Sequence, residues 1–260
     1  MNMDKTIFAA DAFIGKSVLI SGGTSGIGLA AARIFLAGGA RVMLMGRDTH
    51  RGSDALAELA AGECAAFVSG DVCSRSDCRR AAEECMRAYG SVDILVNSAG
   101  IYAEGALDDL SEEGLDGLLG TNVKGTIHLT QAALPHLRKA GGNIVNVASD
   151  AALHGNYFCA AYAAAKGAVI AFTRALALET AGEGVRVNAV APADVLTPLT
   201  ERQFSPHLPR AEQLEEMSAV YPMGRIGTPE EAAAVIVFLA SPAASWVTGS
   251  VYTVDGGLTA

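Results

Sequence analysis

Aromatic residues are scarce in this chain: Phe, Trp and Tyr make up 6% of its 260 residues, and there is a single tryptophan. A core built on large rings is thereby excluded. The abundance of Ala and Gly suits close packing of helices against a sheet instead. Basic residues are also few, 19 Lys and Arg against 28 Asp and Glu, for a formal net charge of −9. With no basic stripe and no Lys/Arg-rich tail, non-specific nucleic-acid binding through phosphates is not expected. One local anion site stays open, because backbone N–H groups at a helix start can build it without net positive charge.

The cysteines, Cys64, Cys73, Cys78, Cys85 and Cys159, are odd in number and show no CxxC spacing, and histidines are few and scattered. Neither a disulfide framework nor a metal site is expected, and free thiols suit a reducing, cytoplasmic compartment. No secretory leader is evident in residues 1–16, which carry Asp4, Lys5, Asp11 and Lys16 and no long apolar core. Residues 232–254 carry no charge, which by length alone would allow a membrane span. The strongly apolar part ends at Ala240, however, and Pro242, Gly249 and several hydroxyls follow. A buried helix, a loop and a strand are expected there, and no membrane partner.

Half of the residues are hydrophobic, enough for a sizeable core in one domain spanning 1–260. Apolar runs at 17–21, 41–45, 65–72, 92–100, 143–149, 186–192 and 250–254 read as strands with their exit loops. Helical patterns lie between them, at 26–38, 51–61, 76–89, 116–138, from Tyr157 or Tyr162 to Ala181, and at 229–240. This alternation predicts an α/β protein with a parallel sheet covered by helices on both faces. The segment 193–228, with Pro198, Pro206 and Pro209, is too long for an ordinary connection and is expected to be a substrate lid.

Two constellations carry chemistry. Gly22, Gly26 and Gly28 fall between the first strand and first helix, spaced GxxxGxG. A turn of this kind lets backbone approach a pyrophosphate without a Cβ in the way, and presents free N–H groups to negative charge. After the second strand, Gly46 stands where NAD-preferring sites place an acid for the ribose 2′-hydroxyl. Arg47 beside it is suited to a 2′-phosphate. NADP(H) is therefore favoured over NAD(H), although Asp48 pointing inward would argue the other way. The second constellation is Tyr162 and Lys166, one helical turn apart on one face, with Ser149 at the end of a strand. A tyrosine beside an ammonium can pass a proton to a carbonyl oxygen that a serine hydroxyl orients.

Taken together, these residues resemble the short-chain dehydrogenase/reductase family over nearly the whole chain. The opening TGxxxGIG motif appears as Ser21-Gly22 through Thr24, Ser25, Gly26, Ile27 and Gly28. The acidic adenine contact falls on Asp71 beside Val72, and NNAG appears as Asn97-Ser98-Ala99-Gly100. The resemblance implies a single-domain Rossmann-type fold, a doubly wound parallel sheet with helices on both faces. It implies Asn122, Ser149, Tyr162 and Lys166 as catalytic residues, Asn122 holding a proton-relay water and Lys166 lowering the tyrosine pKa. Pro192, Val195 and Thr197 would lie at the nicotinamide. Ser21, Ser98 and Ala193 depart from the usual Thr, Asn and Gly without removing a reacting group.

The implied activity is hydride exchange between NADP(H) or NAD(H) and a secondary alcohol or ketone. The expected substrate is a small apolar molecule: a steroid-like ring ketone, a 3-oxoacyl group or a small cyclic ketone. Ala151, Ala152, Leu153, Tyr157, Phe158, Leu196, Leu199 and Phe204 would line its pocket, with Tyr102, His154 and Asn156 offering hydrogen bonds. A silent nucleotide-binding scaffold of the same fold is the rival reading, and an epimerase or dehydratase a weaker one. Relatives of this kind also imply a homo-oligomer, tetramer or dimer, packed through the long helices.

Overall fold

The computed structural model describes residues 9–260; Asp4 and Lys5, used above in reading the N-terminus, lie outside them. Seven strands, β1 (Ser17–Ser21), β2 (Arg41–Gly46), β3 (Ala65–Ser69), β4 (Ile94–Asn97), β5 (Asn143–Val147), β6 (Arg186–Pro192) and β7 (Val251–Val254), form one sheet in the order β3-β2-β1-β4-β5-β6-β7. Every neighbouring pair runs parallel. β1 and β4 are buried at every position, as a sheet covered on both faces requires. The chain winds outward from β1 through β2 to β3, then crosses back to β4 and winds the other way. That reversal opens a crevice beyond the carboxyl ends of β1 and β4, where doubly wound folds bind ligands.

Helices α1 (Gly26–Ala37), α2 (Thr49–Leu59), α3 (Arg75–Tyr89), α4 (Glu112–Leu119), α5 (Thr126–Ala140), α6 (Ala160–Thr180), α7 (Pro198–Glu201), α8 (Arg210–Ser218) and α9 (Pro229–Ala240) surround the sheet. α1 and α9 pack together over one face, with Phe35, Ile236 and Leu239 against Ile20 and Leu44. α3 and α5 cover the other, with Cys85, Leu129 and Leu137 against Leu19 and Leu95. Local chemistry explains several helix starts. The Ser74 and Ser111 hydroxyls accept from backbone N–H groups in the first turns of α3 and α4. Thr228 and Glu231 form a reciprocal capping box before α9, with Pro229 at its first position.

One expectation needs adjusting. The helix expected at 116–138 begins at Glu112 and is interrupted by a π-helical turn, Gly120–Gly125. There a Cβ on Gly125 would meet Val72 Cγ2 at 2.5 Å, so only glycine lets the turn seat against Val72. The uncharged stretch after Glu231 is α9, a short 3-10 turn (Pro242–Ala244) and β7, as its residues suggested. The stretch Ala160–Glu183, which contains α6, is long and apolar enough by composition to cross a membrane. In this fold α6 packs along β6 and carries buried Tyr162 and Lys166. The segment 193–228 is tied at its base: Val195 bridges Gly227, and the Leu196 N–H donates to the Gly227 carbonyl at 2.9 Å.

Candidate active site

A cavity of about 580 Å³ opens at the carboxyl ends of the strands. Of the residues expected in the site, it gathers Gly22, Ser25, Gly26, Ile27, Arg47, Ala99 and Gly100 with Ser149, Tyr162, Lys166, Pro192, Val195 and Thr197. Thr24, Gly28, Asp71, Val72, Asn97 and Asn122 are not part of this lining.

At the dinucleotide end the glycines are required by contact. Gly22 has φ +64°, and a Cβ there would lie 2.8 Å from Ala99 backbone atoms. A Cβ on Gly28 would overlap the Gly22 carbonyl, so the turn closes on itself only with glycine. The backbone is thus bared toward the cavity, a cradle that fits a pyrophosphate. Thr24 packs under β2: a Cβ on Gly46 would sit 3.2 Å from Thr24 Cγ2, leaving no comfortable room for an acid. Asp48 does not point inward. Its carboxylate accepts from the N–H groups of His50 (2.9 Å) and Arg51 (3.1 Å), capping α2. Arg47 lies exposed, its Nη1 3.9 Å from Asp71 Oδ2. Asp71 Oδ1 accepts from the Cys73 N–H at 2.9 Å. Arg51 joins Arg47 in the cavity lining, a second cation that sequence reasoning missed. The i,i+4 spacing of the two arginines was the available signal.

Behind the cavity, Asn97 is a sheet-to-helix tie. Its Nδ2 donates to Thr130 Oγ1 at 3.0 Å and to Asn146 Oδ1 at 2.8 Å, so its side chain faces the core. Asn122, on the π-helical turn, holds the loop after β4: its Oδ1 accepts from Ile101 N–H and its Nδ2 donates to Ile101 O, both at 2.9 Å. Gly100 lies in the gap between Asn122 and Lys166, where a Cβ would be 3.2 Å from Asn122 Oδ1 and 3.5 Å from Lys166 Nζ.

The reacting end is buried: Tyr162 is 9%, Ser149 6% and Lys166 5% exposed. Burial pushes the Tyr162 phenol up to about 12; the Ser149 hydroxyl opposes that rise and the Asp150 carboxylate adds to it. Burial brings Lys166 down to about 8. Lys166 Nζ donates to the Val147 carbonyl at 2.8 Å and sits 5.8 Å from the Tyr162 ring centre. Desolvation is the largest influence on the Tyr162 phenol. Tyr162 remains protonated at neutral pH, charged with a proton to give. Tyr102 packs edge-on against it with ring centres 5.0 Å apart.

Ser149 Oγ donates to Asp150 Oδ1 at 2.8 Å, and Asp150 Oδ2 lies 3.1 Å from His154 Nε2. His154 is thus committed to Asp150 rather than open to substrate. Asp150 and Asp194 both line the cavity, as do Arg202 and Gln203; none of the four was singled out from sequence. Asp150 follows Ser149 directly, and that adjacency was the one sign available. Of the apolar residues expected in the pocket, Ala151 and Leu199 line it. Leu153, Tyr157 and Phe158 face outward, with exposures of 41%, 92% and 62%, and Ala152, Leu196 and Phe204 are absent from the lining. The loop before α6 swings away at Phe158, whose φ is +57°. The lining is consequently more polar than the composition of residues 151–158 suggested.

Comparison with known proteins agrees with this geometry. The family model described as enoyl-(acyl carrier protein) reductase matches residues 22–259. The chain is 40% identical over 248 residues to a 3-oxoacyl-[acyl-carrier-protein] reductase of Thermotoga maritima, covering 94% of this chain and 98% of that one. It is 41% identical over 251 residues to L-fucose dehydrogenase of Mus musculus, covering 96% and 90%. Among solved structures, a short-chain dehydrogenase/reductase described as glucose/ribitol dehydrogenase from Brucella melitensis superposes with TM-score 0.89 at 35% identity, covering 96% and 98% of the two chains. A 3-ketoacyl-(acyl-carrier-protein) reductase of the same organism, complexed with NADH, gives 0.87 at 33% identity, covering 95% and 100%. An actinorhodin polyketide ketoreductase variant with NADPH gives 0.89 at 35% identity, covering 94% and 97%. The chain belongs to the short-chain dehydrogenase/reductase family of NAD(P)-dependent oxidoreductases.

Proposed function

We propose that this oxidoreductase interconverts a secondary alcohol and a ketone with NADP(H) in preference to NAD(H), using Tyr162 as its proton-transferring group. The observation that carries the reading is one cavity that holds the bared glycine turn at one end and Ser149, Tyr162 and Lys166 at the other. When bound, the nicotinamide supplies or accepts the hydride. Gly22, Ser25, Gly26 and Ile27 would bind the pyrophosphate; Pro192, Val195 and Thr197 would face the nicotinamide, and Lys166 its ribose. Ser149 orients the substrate oxygen, and Tyr162, protonated at neutral pH, gives its proton to that oxygen in reduction. In the alcohol-oxidising direction the phenol must first lose its proton, so oxidation gains as pH rises toward about 12. The residues 193–228 act as a lid, the working form is a homo-oligomer, and five unpaired cysteines suit a reducing cytoplasm. The silent-scaffold reading is not favoured, since the relatives are named for enzymatic activities.

Two variants test the reading. Tyr162→Phe removes the transferable proton and little else, so turnover falls by about 10²–10⁴-fold while cofactor affinity, measured by nicotinamide fluorescence, stays close to wild type. Wild-type turnover in this variant would refute the role. For the cofactor, Arg47 and Arg51 are the only cations lining the cavity near its dinucleotide end among the described residues. Arg47→Asp therefore shifts the NADP(H)/NAD(H) ratio of kcat/KM toward NAD(H) by about tenfold or more; an unchanged ratio would remove the preference.

A further inference from the structure

Ser149 and Tyr162 share their end of the cavity with two carboxylates. Asp150 is 5% exposed, bound to Ser149 through one oxygen and to His154 through the other. Asp194 lines the same cavity, at the start of the segment 193–228. Its Oδ2 accepts from Tyr221 Oη at 2.6 Å, and its Oδ1 has no hydrogen-bond partner among the described residues. Burial pushes the Asp194 carboxyl up, and the Tyr221 hydroxyl opposes that rise. Both acids line the same cavity as Tyr162, and both raise its phenol. Asn156 and Gln203 add amide groups to the same lining, and Lys166 and Arg202 add two cations.

This chemistry narrows the substrate. An acyl chain or steroid-like ring set against two carboxylates would strip them of water and give them no donor in return. A cationic amine is disfavoured, because the two acids are balanced by Lys166 and Arg202. A molecule with several neutral hydroxyl groups satisfies the lining: each hydroxyl can donate to a carboxylate and accept from an amide or cation. We propose that Asp150 and Asp194 make the substrate subsite one for a polyhydroxylated molecule, a sugar or polyol, with Asp194 Oδ1 accepting from a hydroxyl beside the carbon that reacts. The inference rests on the proposed hydride-transfer reading for its placement of the reacting carbon. It points to a different substrate class from the apolar one expected from the sequence.

The test separates binding from turnover. Tyr162→Phe protein saturated with NADP⁺ is titrated calorimetrically with L-fucose, D-glucose and ribitol, and with cyclohexanone and a 3-oxoacyl thioester as weakly hydroxylated counterparts. At least one of the three hydroxylated probes is expected to bind more tightly than both counterparts. Introducing Asp194→Asn is expected to lower the sugar-to-cyclohexanone affinity ratio by at least about tenfold, the usual loss for a charge-assisted hydrogen bond. Tyr221→Phe releases the tether on Asp194 but keeps its carboxylate, and is expected to leave the ratio near its starting value. Three results would overturn the proposal: no preference for any hydroxylated probe, a ratio unmoved by Asp194→Asn, or the same fall in Tyr221→Phe, which would make Asp194 a structural tether only. Turnover by the wild-type enzyme across the same compounds is measured in parallel. Hydroxyl-selective binding with no turnover anywhere would sink the hydride-transfer reading and leave this one standing.

Discussion

Lys166 is buried in the cavity wall, 5% exposed, and at neutral pH it holds its charge there against desolvation. The fall from about 10.5 to about 8 corresponds to a penalty on the order of 3 kcal/mol, offset in part by its hydrogen bond to the Val147 carbonyl. Lys166→Met fills the same space without charge. In the absence of cofactor the variant is expected to be about 1–2 kcal/mol more stable at pH 7, a rise in Tm of about 2–6 °C for a chain of this size. The sign with pH follows from linkage. Below about 8 the lysine is charged in both folded and unfolded chains and the penalty is whole. Between about 8 and about 10.5 the folded protein sheds the proton first, so wild-type stability rises and the gap closes. Thermal melts at pH 7 and pH 10 check both; a variant less stable than wild type at pH 7 would contradict it. The pair Tyr162/Lys166 was legible in sequence because helical spacing puts i and i+4 on one face. Its electrostatic balance was not legible, because desolvation depends on how far the loop after β4 and the turn around Asn122 close over the site.

At the scale of elements, the strands were legible as apolar runs because a buried parallel sheet tolerates little else. The π-helical turn at Gly120–Gly125 was not: one extra residue in a turn leaves the apolar pattern of a long helix nearly intact, and its cause is a distant contact between Gly125 and Val72. The segment 193–228, proposed as a lid, is the element whose behaviour can be tested most directly. Its base is held by the Val195–Gly227 bridge, the Gly227 N–H to Asp194 carbonyl bond and the Tyr221–Asp194 contact. Only the stretch between, α7, α8 and the loop joining them, is free of the sheet, and no residue of α8 is buried. Arg202 is exposed at the end of α7 while also reaching the cavity lining. Trypsin is therefore expected to cut after Arg202 before any site in the strands, and NADPH with a bound substrate to slow that cut several-fold. A first cut outside the segment 193–228, or a rate indifferent to ligands, would show that this segment does not close.

For the whole molecule, the surface of α6 poses a question that one chain leaves open. Its buried face carries Tyr162, Lys166, Val169 and Thr173. Its outer face presents Ala164, Ala171, Ala175 and Leu178, all exposed, with Ala168 half-buried beside them and Leu178 at 85%. These positions fall at helical spacing along one line, and only Arg174 and Glu179 among the exposed residues of α6 bring charge. A helix facing water ordinarily shows a polar outer stripe, and small side chains let another helix approach closely. The homo-oligomer implied by family resemblance would cover this stripe with a second copy. Light scattering is therefore expected to give a mass at a multiple of the 26.6 kDa chain. Ala171→Arg, which sets a long cation in the middle of the stripe without touching the core, is expected to reduce that mass. Since the same helix carries Tyr162 and Lys166 on its other face, activity per chain should fall with dissociation. A wild-type protein that stays at the mass of one chain would refute the assembly, and an Ala171→Arg variant of unchanged mass would move the interface off α6.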